Sequence, residues 1–216
     1  MRFRIDLKIF IFLILFYFTK QIETYSMIMI FAIIHELGHL VSGLLSGMKP
    51  EKIELMPFGL SISFRINVKE YNKKIKKGNM LEIKKIFVAL SGPLTNLIII
   101  FIAYNLHIDF LKSIMIIYTN LLLMLFNLLP IYPLDGGRIV KSILHIYYGK
   151  RKAEKYTNII SKIVIVMITA FSSILILYLR NIAIFLIVMF LWYLVITENI
   201  KYNKRQDIYK KILENV

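Results

Sequence analysis

Six apolar stretches, at residues 7–19, 26–45, 86–106, 110–129, 159–179 and 182–196, limit what this 216-residue chain can fold into. A helix needs about 20 apolar residues to cross a ~30 Å hydrocarbon core, and most of the six come near that length. With 58% hydrophobic residues and a mean hydropathy of +0.67, the composition is that of a multispanning membrane protein and not of a soluble domain with one anchor. The predicted fold is therefore an all-α polytopic membrane protein of about six transmembrane helices. The first stretch is short and has Arg2, Arg4 and Lys8 at its start, as a signal peptide would. Bulky, polar Thr19-Lys20-Gln21-Ile22-Glu23 stands where a small-residue cleavage site would be, so the stretch reads as an uncleaved span with snorkelling lysines. The absence of cysteine excludes disulfides and thiolate ligands.

The net charge of +15 would suggest nucleic acid in a soluble protein, but here its distribution sets orientation. With a cytosolic N-terminus, inner segments carry 25 Lys and Arg, whereas outer ones hold only Lys20, Lys112 and Arg180. That asymmetry predicts cytosolic N- and C-termini in a bacterial cell membrane. The basic loops then face anionic lipid, with no nucleic acid required.

Inside the second stretch lies His35-Glu36-Leu37-Gly38-His39. Histidines four apart on a helix project from one face and can grip one zinc ion, and the glutamate between them can act as general base. Ionisable residues at membrane depth are costly, which marks this triplet as functional. Counting ~1.5 Å per residue from Ser26 puts the histidines about 14 and 20 Å from the outer end, slightly to the cytosolic side. Gly38, Ser42, Gly43, Ser46 and Gly47 give the same helix a small-residue surface on which a neighbour can pack closely.

The polar segment 47–85 opens with two alternating runs, Lys52 to Met56 and Leu60 to Ile66, separated by Pro57-Phe58-Gly59. They predict a small membrane-associated β-hairpin. Lys69, Lys73, Lys74, Lys76, Lys77, Lys84 and Lys85 follow, as a solvated connector or interfacial helix.

A hydrolytic zinc site usually needs a third protein ligand. The best candidate is Asp135, within Asn127-Leu128-Leu129-Pro130-Ile131-Tyr132-Pro133-Leu134-Asp135-Gly136-Gly137-Arg138, where prolines break the fourth stretch. Broken helices at membrane depth are tolerated where the backbone lines a protein cavity. Asp135 could alternatively cap a helix restarting at Gly136. Glu54 is the rival ligand, while His107 and His145 read as interfacial.

The His35–His39 motif, Ser91-Gly92-Pro93-Leu94-Thr95-Asn96, and the 127–137 segment together resemble the site-2 protease family of intramembrane zinc metalloproteases, peptidase family M50. The resemblance covers roughly residues 26–145. It implies one Zn²⁺ held by His35, His39 and Asp135, catalysis by Glu36, and a substrate-orienting role for Asn127. The hairpin resembles the family's membrane-associated sheet; its strand edge, through Ser61 and Ser63, is expected to hold an extended substrate. One protease domain over 1–216, with a catalytic core at about 26–148 and without PDZ or CBS domains, is most similar to the compact sporulation branch. That branch implies a membrane-associated pro-sigma factor as substrate, regulatory membrane proteins as partners, and the forespore-surrounding membrane as location. A zinc transporter and an inactive scaffold of the same fold stay open as alternatives.

The charge asymmetry is tested with single cysteines, easily placed in a chain that has none. A membrane-impermeant thiol reagent outside intact cells should label a cysteine at Asp109 and spare cysteines at Asn72 and Asn203; the reverse pattern would invert the topology.

Overall fold

The computed structural model describes residues 2–5, 7–18, 20–56, 59–65, 75–105, 110–179 and 182–214. Two compact units follow one another, 1–128 and 129–216.

The first unit holds β1 (Arg2–Ile5), α1 (Lys8–Phe18), α2 (Ile22–Leu45), β2 (Lys49–Met56), β3 (Gly59–Arg65), α3 (Ile75–Asn105) and α4 (Phe110–Asn127). The second holds α5 (Asp135–Tyr148), α6 (Lys150–Leu179) and α7 (Ile182–Glu214). Each of the six apolar stretches carries a helix, and α5 is an additional amphipathic one. Among the described residues, four helices are by themselves long and apolar enough to cross a membrane: Ile22–Leu45, Asn79–Asn105, Lys150–Tyr178 and Ile184–Lys211. Lys112–Asn127 is a shorter apolar helix. The 11 residues of α1 rise only about 16 Å, so six is an approximate count of spans.

The hairpin forms, and it gains a strand that the alternation did not predict. β2 and β3 pair antiparallel, with Ile53 opposite Ile62 and Leu55 opposite Leu60. Residues Arg2 to Ile5, expected as the basic lead-in to a helix, instead pair parallel to β2, Arg4 opposite Glu54. The sheet order β1-β2-β3 makes β3 an edge. The Pro57-Phe58 turn, Ile66 and Lys69 to Lys74 lie outside the described residues, as does His107. Lys76, Lys77, Lys84 and Lys85 belong to α3, so the latter part of the basic connector continues directly into an apolar helix.

Packing in this unit centres on α2. Phe16 of α1 stacks on Tyr25 of α2 at 4.6 Å between ring centroids, closing a tight helical hairpin through Lys20, whose φ is 55°. At the other end α2 stops at Ser46, where Gly47 takes φ 75° and the Gly47 and Met48 amides donate back to Leu44 and Gly43 carbonyls. Only a glycine adopts that backbone without penalty. Lys84 Nζ donates to the Ser46 carbonyl at 2.7 Å, which satisfies a terminal acceptor and places a cation at the negative end of the helix.

Two of the small residues of α2 serve close approach, one to a helix as the sequence predicts and one to the sheet. A side chain at Gly38 would collide with Thr95 of α3, and one at Gly43 with the ring of Phe64 on β3. Helix and sheet therefore approach the backbone of α2 itself, the sheet docking one turn beyond His39.

Candidate metal centre

His35 and His39 are buried on the α3-facing side of α2. Their Nε2 atoms stand 3.2 Å apart, with the rings nearly perpendicular at 87°. Two nitrogens held ~2.0–2.1 Å from one tetrahedral zinc would be about 3.3 Å apart, so the pair already has the spacing of two ligands on a single ion.

The fixing of His39 comes from α3. Its Nδ1 donates to the Val88 carbonyl at 2.6 Å, which leaves Nε2 as the lone-pair nitrogen. Pro93 lies inside α3 and cannot donate back to Ala89, so the helix is loosened at the turn that presents this carbonyl. Ser91 Oγ also donates to Val88 O at 2.6 Å, and its oxygen lies 2.7 Å from Ser42 Oγ of α2. With that hydrogen committed, Ser42 Oγ donates across to Ser91 Oγ, and the His39 carbonyl stands 3.0 Å from it as a competing acceptor. Gly92 completes the cradle: a Cβ there would run into His39 Nε2 and His35 Nε2. The hydrogen at that position keeps open the space into which both lone pairs point.

Ser91-Gly92-Pro93 thus has a definable task in the middle of a 31-residue helix. Sequence reasoning missed Val88 altogether, because its contribution is a backbone oxygen. The available signal was a Ser-Gly-Pro triplet, which breaks helical rules inside an apolar run.

Glu36, half-buried, is the next residue along the same helix turn. Glu54, the rival ligand, lies in β2 and is ion-paired with Lys52 at 2.5 Å. Asn127 is the last residue of α4 and its Nδ2 donates to the Leu123 carbonyl at 3.0 Å. Ser61 and Ser63 occupy β3, with Ser63 exposed. In the second unit Asp135 is the first residue of α5 and is buried, with Arg138 Nη1 3.6 Å from its Oδ1. Leu134, in extended conformation, takes the N-cap position that the alternative reading gave to the aspartate. His145 lies in the last turn of α5.

Residues 104–171 match peptidase family M50. A zinc metalloprotease of Methanocaldococcus jannaschii is 32% identical over 145 residues, 64% of this chain and 39% of that protein. Stage IV sporulation protein FB of Bacillus subtilis is 27% identical over 128 residues, 56% of this chain and 40% of that protein. A solved site-2 protease from M. jannaschii matches with a TM-score of 0.63 and 25% identity, covering 90% of this chain and 88% of the other.

The matched segment, the two relatives and the solved structure agree on peptidase family M50. The chain spans about two-fifths of the length of these two curated relatives. Zinc is the metal of M50 metalloproteases, and the donor set here fits it: two imidazole nitrogens at tetrahedral spacing, one ring with its tautomer fixed by a carbonyl.

The cradle makes its own prediction. Gly92→Ala adds one methyl group between the two Nε2 atoms, and it should lower zinc occupancy of the purified protein at least tenfold while leaving membrane insertion unchanged. Metal analysis showing wild-type zinc in Gly92→Ala would mean that the ion does not sit between these nitrogens.

Proposed function

We propose that this chain is an intramembrane zinc metalloendopeptidase that cuts a membrane-associated protein near the cytosolic face. The observation that carries the reading is the facing His35–His39 pair, held by α3 in one tautomer, with Glu36 on the same turn. Asp135 is the third ligand in this proposal, supported by its buried carboxylate, by the Pro-Leu-Asp-Gly-Gly segment, and by the zinc metalloprotease among the relatives. The two units then form one protease domain across residues 1–216.

Zinc bound there would acidify water toward pKa ~7 and polarise the scissile carbonyl. Glu36 takes the proton from the attacking water and passes it to the leaving amine. The substrate must be extended, because an intact transmembrane helix keeps its amides in its own hydrogen bonds. β3 supplies the means: it is one edge of the sheet, and Phe64 docks it against Gly43, about 6 Å along α2 from His39. Residues Leu60 to Ile66 offer backbone groups to the target chain, with Ser61 and Ser63 on this strand, and Asn127 orients the peptide at the metal. A pro-sigma factor cleaved during sporulation is the narrower substrate reading, supported by the likeness to stage IV sporulation protein FB. Regulatory membrane proteins and the forespore-surrounding membrane belong to that narrower reading. Termini on the cytosolic side are supported by the charge asymmetry.

In cells co-expressing a membrane-tethered substrate, Glu36→Gln should abolish cleavage yet retain zinc, whereas His35→Ala, His39→Ala and Asp135→Ala should each lose both. A transporter would move zinc through liposomes, with Glu36→Gln unimpaired. Undiminished zinc in Asp135→Ala would bring Glu54 forward as ligand.

The edge-strand role is tested separately by Ser61→Pro and Ser63→Pro, each removing one backbone donor. Cleavage of a tethered substrate should fall at least tenfold with zinc content intact. Full activity in both would remove β3 from substrate binding.

A further inference from the structure

The segment leading into Asp135 is non-helical backbone inside a membrane protein, so each polar group on it needs a protein partner. Ile131 is fully buried, and the Leu134 amide closes back on the Ile131 carbonyl at 2.8 Å. A Cβ at Gly137 would strike the Ile131 carbonyl and the Tyr132 amide nitrogen, so the segment lies directly on the first turn of α5. Lys141 Nζ sits 4.3 Å above the Tyr132 ring. The one bond from this stretch to another helix, among the hydrogen bonds of the described residues, is the Tyr132 amide donating to Ser161 Oγ on α6 at 3.0 Å. Ser161 is itself buried, and its hydroxyl hydrogen is committed to the Thr157 carbonyl at 2.9 Å. Its oxygen lone pairs are therefore fixed toward Tyr132 and cannot rotate away.

We propose that Ser161, which lies outside every motif of the sequence, is a positioning residue that sets the place of the Asp135 carboxylate for zinc through the Tyr132 amide. The inference rests on Asp135 being the third ligand. Tyr132 is three residues before Asp135, and the intervening chain is pinned at both ends, by Ser161 on one side and by the start of α5 on the other. Loss of the acceptor leaves a buried amide unsatisfied, and the segment must move to find a partner. A shift of that kind displaces the carboxylate from a geometry that zinc tolerates only narrowly.

The test is zinc affinity of the full-length protein in detergent, read by competition with a chelating dye and therefore independent of proteolysis. Ser161→Ala should bind zinc about tenfold more weakly with helix content unchanged, and Ser161→Thr, which keeps the hydroxyl, should return to within about twofold of wild type. Ser161→Cys keeps the shape with a weak sulfur acceptor and should fall between them, which preserves the test if alanine disturbs folding. In an Asp135→Ala background Ser161→Ala should add no further loss, since it acts through that carboxylate. Wild-type affinity in Ser161→Ala and Ser161→Cys, or an additive loss in the double variant, would overturn the proposal while leaving Asp135 in place. Unchanged affinity in Asp135→Ala alone would instead remove the third-ligand reading, and this inference with it.

Discussion

An imidazole placed in hydrocarbon is tolerable only if its polar atoms are occupied, and the structure of the first unit follows from meeting that demand for His39. Its Nδ1 finds a main-chain oxygen, that of Val88, on a helix close enough to reach. The close approach requires hydrogens in place of side chains at Gly38 and Gly92, and a proline in α3 that loosens the turn carrying the oxygen. Two serines then tie the helices to each other through Oγ atoms 2.7 Å apart. Helix packing and ligand preparation are thus one set of contacts: whatever separates α2 from α3 also releases the tautomer of a proposed zinc ligand.

The second unit handles a backbone problem with a related device. Pro130 and Pro133 end one helix before Asp135 starts another, and the intervening amides and carbonyls have no regular ladder. The chain closes on itself from Leu134 to Ile131, lies against Gly137, and takes its interhelical acceptor from a hydroxyl whose hydrogen is already engaged. In the first unit a histidine and in the second a serine, each on a neighbouring helix, hold main chain in place, and glycine allows the approach.

What could be read in the sequence was whatever is encoded by residue type at fixed spacing. His35 and His39 come out as facing imidazoles on one side of a helix, Asp135 stands out between prolines and glycines, and the six apolar stretches fall where helices are found. The paired runs before and after Pro57-Phe58 became β2 and β3 with the alternation intact. Less legible was anything supplied by main chain or by a lone small residue. Val88 contributes a carbonyl that any amino acid possesses, and Ser161 is one serine in an ordinary apolar helix. Arg2 to Ile5 were misassigned because four alternating residues next to an apolar run look like its basic flank. Their strand character comes from a partner fifty residues away, which local pattern does not encode.

That small strand has a bearing on how the chain threads the bilayer. Since residues 2–5 lie beside residues 52–55, the start of the protein and the sheet share one level and one side, whatever the loop charges are. Between them the chain goes out along α1 and returns along α2. From Tyr25, stacked on Phe16, to Gly43, against Phe64, the return covers about 27 Å of helix. The outward leg has only about 16 Å of helix in α1, and the extended residues before it, at ~3.3 Å each, make up most of the difference. The outward leg is therefore part helix and part strand. The extended part is stable because β2 receives its hydrogen bonds, so the sheet supplies polar partners to the chain that leads into an undersized helix.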